Sequence, residues 1–427
     1  MRKETKILIL NTHSVLNLGD AGIVLAQIQF LKKHVPGCRI SLTSRTPALD
    51  RKLYGPLGIK VLPPLIPAPS IYAGCVQKIR QSLKNLFSFF SKWELFRVMK
   101  RADLVVSSGG GYFYSNRKVF PGPMFFQNCL PVLFAQRLNK PVIFFPQSFG
   151  PVFNTAASRI LKRMLEKENV IKIFVREKAS WDYLQALLKR QKCQGKIEIC
   201  PDMAFYLKSE SGRGERRKEL NLLRPVVALT LRRWDFPEVK RVGERRKKQE
   251  EYLAALEEFC QRVFRARGGS VLIIPQVRGP GNFEDDRIIS LQFWERARKL
   301  LPDKNIAYLH LLDSVSPAHI VEVFSRVDLV LATRLHSAIF AFLAGTPAIT
   351  LGYQPKSKGI MELLEFEQFC APMAGLNPDK IWEMSEEIFR QYQEIQKKIR
   401  ERAAQIQKFI EETLDRSLRS LFEGLKS

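Results

Sequence analysis

Residues 329–344 read LVLATRLHSAIFAFLA, and this stretch contains one complete strand–turn–helix unit. The run 329–332 is short, apolar and without alternation, which is typical of a strand buried on both faces of a parallel sheet. A turn containing Arg334 and His336 follows, and helix-period apolar residues begin near Ser337. Because ligands of open α/β sheets bind beyond the carboxyl ends of strands, this turn is a candidate site.

The same pattern repeats along the whole chain. Helical periodicity covers 21–34, 130–139, 156–167, 180–189, 249–265, 288–301, 317–325 and 337–344. Apolar runs precede or separate these segments at 7–10, 40–43, 104–107, 142–145, 171–175, 197–200, 226–231, 271–274, 307–311, 329–332 and 348–351. Strands that alternate with helices predict doubly wound α/β layers.

The polar stretch 209–218 separates two such cycles and is the predicted linker. We therefore predict an α/β protein with an N-terminal Rossmann-like domain at 1–208 and a C-terminal one at 209–379, followed by charged amphipathic helices at 380–427. Two doubly wound domains of similar size facing a cleft would give a glycosyltransferase-B-like arrangement, with the active site in the cleft.

The net charge of +27 in 427 residues favours an anionic partner, which could be nucleic acid, anionic lipid or an acidic ligand. The basic residues do not lie within a recognisable RNA- or DNA-binding motif, so we expect no specific nucleic-acid partner. The seven cysteines are scattered without a C-x-x-C pair, which favours reduced thiols in a reducing cytosol. No cluster of His, Asp and Glu has metal-ligand spacing, and we predict no metal.

The segment 78–101 combines lysines and arginines with Phe87, Phe90 and Trp93. Such a basic amphipathic helix could contact an anionic membrane surface, or it could pack on its own domain with its cations extended to water. The chain has neither a signal-peptide pattern at its start nor an apolar run long enough to span a membrane. The expected location is the cytoplasm, either free or peripheral at the inner face of the membrane.

Polar and glycine-rich turns follow the predicted strands of the first half. They read NLGD at 17–20, SSGGG at 107–111, PQSFGP at 146–151, VREKAS at 175–180 and PDMAF at 201–205. Each has a purely structural alternative: the glycines may serve tight turns, Asp20 a helix N-cap, and Arg176 with Glu177 an ion pair. The candidate substrate-binding residues are Gly19, Asp20, Gly110, Gly111, Gln147, Ser148, Arg176 and, after the strand at 226–231, Arg232.

Arg334 and His336 are the candidate catalytic residues. An arginine beside a helix N-terminus makes an anion site, because the guanidinium and the unbonded N–H groups both favour negative charge. His336 is one of five histidines and would lie at the same place, where it could transfer protons near neutral pH or serve the structure alone.

These motifs, in order, resemble the polysaccharide pyruvyl transferase family. The set is N-x-G-D, G-G-G, P-Q-S-x-G-P, V-R-E-x-x-S, P-D-x-A-F and R-x-H-x-x-I-x-A-x-x-x-G-x-P, and it extends from about residue 7 to about residue 358. Two departures stand out: Ala21 replaces an acidic residue that often follows Gly-Asp in the family, and the stretch 233–248 is longer and more basic than the family pattern needs.

The resemblance implies a transferase with phosphoenolpyruvate as donor and no other cofactor. The acceptor would be a sugar, oligosaccharide or lipid-linked glycan of a cell-envelope or exopolysaccharide, whose hydroxyl pair receives pyruvate as a cyclic ketal. Arg334 and His336 fall on the family's donor motif, on the C-terminal domain, which leaves the N-terminal domain for the acceptor. The alternative is a nucleotide-sugar-dependent glycosyltransferase of the same fold, since arginines and helix N-termini would bind a diphosphate equally well.

Overall fold

The structure is a computed structural model that describes residues 4–66, 89–115, 123–189, 191–208, 221–234, 236, 239, 241–281, 284–311, 315–352 and 355–426. The chain divides into two compact units. The first unit comprises Met1–Val15, Asp20–Leu207 and Gln407–Ser427, and the second comprises Leu16–Gly19 and Lys208–Ile406. The predicted linker, 209–218, lies outside the described residues.

The first unit contains an eight-stranded parallel sheet of order β3-β2-β1-β4-β6-β7-β8, with β5 paired to β6. Its central strands are apolar and buried on both faces, and Ile9 of β1 lies opposite Val106 of β4. The strands are β1 (Lys6–Leu10), β2 (Arg39–Thr43), β3 (Lys60–Leu62), β4 (Leu104–Ser107), β5 (Gly110–Ser115), β6 (Val142–Val152), β7 (Val170–Val175) and β8 (Ile197–Ile199).

Helices connect these strands. They are α1 (Leu18–His34), α2 (Pro47–Tyr54), α3 (Phe89–Arg101), α4 (Pro123–Arg137), α5 (Thr155–Leu165), α6 (Lys178–Leu187) and the short α7 (Gln191–Gln194). Helix α5 shows how the sequence sets a boundary: the side chain of Asn154 accepts a hydrogen bond of 2.9 Å from the N–H of Ala157, which satisfies a donor that the first turn leaves open.

The second unit contains a six-stranded parallel sheet of order β11-β10-β9-β12-β13-β14. Its strands are β9 (Val226–Thr230), β10 (Ser270–Ile273), β11 (Ile306–Tyr308), β12 (Leu329–Ala332), β13 (Ala348–Gly352) and β14 (Cys370–Pro372). Its helices are α8 (Val242–Arg267), α9 (Asp286–Ala297), α10 (Pro317–Phe324), α11 (Leu335–Leu343), α12 (Pro355–Leu364), α13 (Pro378–Arg390) and α14 (Tyr392–Lys426).

Both sheets reverse their strand order at one place, and this fixes where a ligand can bind. In the first sheet, β2 and β3 lie on one side of the β1–β4 pair, and the later strands lie on the other side. In the second sheet, β10 and β11 lie on one side of the β9–β12 pair, and β13 and β14 lie on the other. The loops that follow such a pair of strands diverge and leave a crevice at the carboxyl edge of the sheet. We call these the first and second switch points.

The predicted fold class is confirmed, with two local corrections. Every predicted apolar run overlaps a strand, and the structure adds β3, β5 and β14. Gly110 and Gly111, predicted in a turn, begin β5, and residues 146–151, also predicted as a turn, are the second half of β6. Pairing with neighbouring strands holds these segments extended, although glycine and proline disfavour strands on their own.

The C-terminal helices do not stand apart from the two units. Helix α13 and the part of α14 up to Ile406 belong to the second unit, whereas the part of α14 from Gln407 belongs to the first. Within the described ranges, the structure contains no helix with the length and apolar character that a membrane span requires.

Candidate active site

The second switch point is lined by cationic residues from both of its strands. Arg232 follows β9, and Arg334 and His336 follow β12, where Arg334 is the N-cap residue of α11. The residues of α11 are almost entirely apolar and buried, so this helix is fixed in the core and its first turn is held rigidly at the carboxyl edge of the sheet. The structure therefore brings these three predicted residues to one edge of one sheet.

Arg334 is held by a buried carboxylate. Its Nε donates a hydrogen bond of 3.0 Å to one oxygen of Asp286, its Nη2 donates to the other, and the side chain of Asp286 is 2% exposed. Asp286 also accepts a hydrogen bond of 3.0 Å from the N–H of Val277. A bidentate pair of this kind fixes the plane of the guanidinium, so Arg334 is oriented before any ligand arrives.

Burial and the neighbouring arginines shift the pKa of Asp286 in opposite directions. Burial raises the pKa of this carboxyl, while the positive charges of Arg334 and Arg232 lower it, and the net shift is upward. Arg232 also lies over the ring of Trp234, at 5.2 Å from the ring centroid. Asp286 thus has two arginines near it, from the two strands that flank the switch point.

His336 packs directly on Gly19. A methyl group built on the α-carbon of Gly19 would lie 2.2 Å from Nδ1 of His336, a separation that real side chains do not show. The segment 16–19 belongs to the second unit and is bound to the turn that follows β10: the N–H of Leu18 donates to the carbonyl of Gln276, and that of Arg278 to the carbonyl of Leu16. Gly19 is therefore placed with the predicted catalytic histidine.

Gln276 is a polar side chain that the structure leaves unsatisfied. It is 1% exposed, and neither its amide nitrogen nor its amide oxygen has a hydrogen-bond partner among the described residues. A buried amide without partners is unfavourable by about 1–3 kcal/mol, and such groups in folded proteins usually bond to water or to a ligand. Gln276 follows β10 in the same segment as Val277, whose N–H binds Asp286.

Arg176, in the first unit, is bonded to protein groups. Its guanidinium contacts the carboxylates of Asp202 and Glu177, and its Nε donates a hydrogen bond of 2.8 Å to Oγ of Ser148. Burial works to lower the pKa of Arg176, but Asp202 and then Glu177 raise it above its usual value. These contacts correspond to the structural ion pair that the sequence left open, and they also position Ser148.

The remaining candidates of the first unit surround this cluster. A methyl group on Gly111 would lie 3.5 Å from Nη2 of Arg176, and one on Gly110, whose φ is 132°, would overlap the ring of Tyr112. Gln147 is fully buried, and neither polar atom of its side chain has a hydrogen-bond partner in the described ranges. In both units, the glutamine of a Pro-Gln pair thus carries an unsatisfied buried amide, within β6 for Gln147 and after β10 for Gln276.

Asp20 lies in a separate cluster of the first unit, at the start of α1. Its Oδ1 accepts a hydrogen bond of 3.1 Å from the hydroxyl of Tyr112, and its Oδ2 is 3.6 Å from Nδ1 of His13. The ring of His13 stacks on that of Tyr112, with centroids 4.5 Å apart and planes 11° from parallel. Asp20 is not the N-cap of α1: the helix begins at Leu18, and the side chain of Asn17 accepts the N–H of Gly19.

Comparison with known proteins decides the family. The family model described as polysaccharide pyruvyl transferase matches residues 17–355, which is most of the chain. The chain belongs to the polysaccharide pyruvyl transferase family. Among curated proteins, this pyruvyl transferase family member is 24% identical to the amylovoran biosynthesis protein AmsJ of Erwinia amylovora, over 92% of this chain and 94% of AmsJ.

Solved structures agree with the fold. Anabaena Alr3699/HepE, solved in complex with UDP and glucose, is 13% identical with a TM-score of 0.56, covering 99% of this chain and 100% of that chain. A glycosyltransferase from Rickettsia africae is 13% identical with a TM-score of 0.52, covering 99% of each chain. At such identities the likeness concerns the fold alone, and it confirms the predicted glycosyltransferase-B-like class.

Three residues near the family motifs escaped the sequence analysis. Asp286 begins α9 and has no motif of its own, so only the structure shows that it holds Arg334. Gln276 lies in the turn 275–278 after an apolar run, which the sequence indicates as a polar strand-end turn, but Gln276 was not among the predicted site residues. His13 follows β1, a few residues before Asp20. The chain of this pyruvyl transferase family member has only five histidines, so a histidine at a strand end could have been selected as a candidate from the sequence.

Proposed function

We propose that the chain transfers the pyruvyl group of phosphoenolpyruvate to a pair of hydroxyl groups on a sugar, as a cyclic ketal, during polysaccharide biosynthesis. The observation that carries this proposal is the place of Arg334 and His336, which follow β12 at the second switch point and match the family's donor motif. Family membership and the AmsJ relative support the polysaccharide context. The acceptor class is a sugar, oligosaccharide or lipid-linked glycan of a cell-envelope or exopolysaccharide.

Donor binding follows from the charges at the second switch point. Phosphoenolpyruvate carries a phosphate and a carboxylate, and each must be held in a defined orientation. Arg334, with its plane fixed by Asp286, and Arg232 supply cationic groups from the two flanking strands. The first turn of α11 adds backbone N–H groups that favour an anion, and Gln276 offers an amide that lacks a partner among the described residues.

The reaction then needs one proton donor and one proton acceptor. His336 donates a proton to the methylene carbon, and the double-bond electrons that form this C–H bond leave an oxocarbenium ion at C2. The oxygen of one sugar hydroxyl bonds to C2 and loses its proton. The second hydroxyl bonds to C2 as the C–O bond to phosphate breaks, and its proton leaves with the phosphate. The products are the ketal and inorganic phosphate.

The two units would divide the substrates. The second unit would bind the donor, and the first unit would bind the acceptor through Gln147, Ser148, Gly110 and Gly111. A primary amide both donates and accepts hydrogen bonds, as a sugar hydroxyl does, so the unsatisfied Gln147 suits a glycan.

The test separates binding from turnover at His336. Phosphate release from phosphoenolpyruvate is followed with methyl galactoside, glucoside and mannoside as acceptors. Because a positioned acid contributes about 10²–10⁴-fold, His336→Gln should lower kcat by at least about a hundredfold with a smaller change in donor binding. The exposed His310 provides the control variant His310→Gln, which should behave as the native protein does.

The same assay examines the alternative reaction. A nucleotide-sugar-dependent glycosyltransferase would release nucleotide from a nucleotide sugar and would leave phosphoenolpyruvate intact. A His336→Gln variant with native kcat would contradict the assigned role of the histidine.

We also propose that α3 contacts an anionic membrane surface at the cytoplasmic face. Residues 78–88 of the predicted membrane helix lie outside the described residues, but α3 includes its end. Leu95 and Met99 of α3 are buried, whereas Trp93 is 48% exposed, with Arg97 at 5.5 Å from its ring centroid. An exposed aromatic beside cations suits an anionic lipid interface.

Binding to phosphatidylglycerol vesicles tests this contact. It should weaken with salt and should fall in Trp93→Ser but not in the control Phe153→Ser, which changes a side chain that is 54% exposed elsewhere. Equal binding of both variants would contradict the assignment to α3.

A further inference from the structure

The guanidinium of Arg176 has one open hydrogen-bonding position. Its Nε donates a hydrogen bond of 2.8 Å to Oγ of Ser148, and its Nη1 donates one of 2.5 Å to Asp202. Nη2, which donates from the same edge of the planar group as Nε, has no hydrogen-bond partner among the described residues, although the side chain is only 3% exposed. Because buried donors in folded proteins are normally paired, this one indicates a ligand.

The open position faces the α-carbon of Gly111, near the start of β5. Within the described ranges, a methyl group on this carbon would meet two atoms within 4 Å: Nη2 of Arg176 at 3.5 Å and Cβ of Ser148 at 3.9 Å. Gly111, Ser148 and Glu177 are each partly exposed, and all of them belong to the first unit. A ligand can therefore reach Nη2 from the solvent, over a surface that strands β5 and β6 hold rigid.

Glu177 borders this space and keeps hydrogen-bonding capacity. Its Oε2 accepts hydrogen bonds of 2.9 Å from Oγ of Ser148 and 3.3 Å from Nε of Arg176, and its Oε1 contacts Oγ of Ser180. A carboxylate offers about four acceptor positions, so these three contacts leave one unused. Since the side chain is 22% exposed, a ligand above Gly111 can donate a hydrogen bond to it.

The charges of this cluster disfavour an anionic ligand. Arg176 is paired with two carboxylates, those of Asp202 and Glu177, so its positive charge is compensated. A phosphate or carboxylate at Nη2 would lie close to the carboxylate of Glu177, and the two negative charges would repel each other. A hydroxyl group avoids this repulsion and can both accept and donate a hydrogen bond. Two neighbouring hydroxyls of a sugar ring can therefore bond to Nη2 and to Glu177 together.

We propose that Nη2 of Arg176, the carboxylate of Glu177 and the open face of Gly111 form a subsite that binds an uncharged sugar ring of the acceptor through two neighbouring hydroxyl groups. This inference rests on the proposed function and narrows the acceptor. Besides the hydroxyl pair that receives pyruvate, the glycan carries a second hydroxyl pair on a neutral ring. The subsite holds this ring and takes no part in the making or breaking of covalent bonds.

Sugar binding to the full chain without donor, measured by titration with NMR detection, gives the first test. At least one of the methyl glycosides above should bind, and the corresponding methyl uronide, whose ring carries a carboxylate, should bind at least about tenfold more weakly. Gly111→Ala should weaken binding by about tenfold or more, because its methyl group would cover Nη2 and leave the ion pairs intact. The φ of Gly111 is not positive, so alanine fits the backbone.

The control for this variant is Gly55→Ala, also in the first unit, where a methyl group has no atom within 4 Å. It should bind glycosides as the native protein does. The proposal is overturned if no neutral glycoside binds, if uronides bind equally well, or if Gly111→Ala binds with native affinity.

Kinetics with phosphoenolpyruvate give the second test. Glu177→Gln should raise the KM for the glycoside by about tenfold or more, while the stabilisation of the protein by phosphoenolpyruvate stays native. The matched control is Asp182→Asn, on the same helix α6, in an exposed pair with Lys178. If Glu177→Gln and Gly111→Ala both keep the native acceptor KM, the subsite is wrong and the proposed reaction stands. If Gly111→Ala abolishes glycoside binding but phosphoenolpyruvate is never consumed, the subsite stands and the proposed donor is wrong.

Discussion

The imidazole of His336 lies against the α-carbon of Gly19: a methyl group on that carbon would be 2.2 Å from Nδ1 and 2.4 Å from Cγ. Gly19 cannot yield easily, because Leu16 and Leu18 are hydrogen-bonded to the turn that follows β10. The glycine of the N-x-G-D motif thus sets the position of the histidine of the R-x-H motif. Two motifs far apart in sequence act on one side chain.

Gly19→Ala should therefore displace His336 and lower kcat. A displacement of about 1 Å in a catalytic group can reduce a rate by about a hundredfold, and we expect a loss of that order with the fold retained. The control is Gly55→Ala, because a methyl group at Gly55 has no atom within 4 Å. Native turnover in Gly19→Ala would mean that the position of His336 does not matter.

Arg334→Lys should raise the KM for the donor. Lysine keeps the charge beside Asp286 but loses the planar fork, so the orientation of a bound anion is lost more than its attraction. Steady-state kinetics and thermal unfolding are measured together. Arg326→Lys, at a half-exposed pair with Glu322, is the control. A large fall in stability with an unchanged KM would make Arg334 a structural residue.

Asp202→Asn should destabilise the first unit. The side chain of Arg176 is 3% exposed and that of Asp202 is fully buried, so removal of one charge leaves the other buried with weaker compensation. Breaking such a pair is unfavourable by about 3–5 kcal/mol, which urea unfolding can measure. The exposed pair of Lys178 and Asp182 provides the control Asp182→Asn. If Asp202→Asn retains native stability, Arg176 is available for a substrate anion.

Stability should fall as the pH drops from about 6.5 towards about 4, and His13 should contribute to this fall. The pKa of His13 is lowered from 6.5 to about 4, so in this window the unfolded chain binds a proton that the folded protein does not. The shift of about 2.5 pH units corresponds to about 3 kcal/mol at most. Urea unfolding of His13→Gln across this window should show a weaker pH dependence than the native protein. Identical slopes would contradict a buried, neutral His13.

The sequence predicted the fold because its strands are buried on both faces. Runs such as LVVS at 104–107 and LVLA at 329–332 have no polar alternation, which marks parallel strands whatever their neighbours are. Strand β5 was missed because the glycines of 110 and 111 have little strand preference, and pairing with β6 decides their conformation.

Only the site residues that directly follow an apolar run could be predicted from the sequence. Arg232, Arg334 and His336 follow apolar runs, so their common edge could be inferred. Asp286 could not be found in this way, because it begins a helix and meets Arg334 only through tertiary packing. The ion pairs of Arg176 likewise depend on the register of β6, β7 and β8, which no local pattern specifies.

The most direct measurement of the central claim is the thermal stability of the protein with each donor. A ligand that binds only the folded state stabilises it by about 2.7 kcal/mol at about one hundred times its Kd. We predict that phosphoenolpyruvate raises the unfolding temperature of the native protein, that Arg334→Lys weakens this effect, and that UDP-glucose has little effect. A rise with UDP-glucose and none with phosphoenolpyruvate would contradict the account.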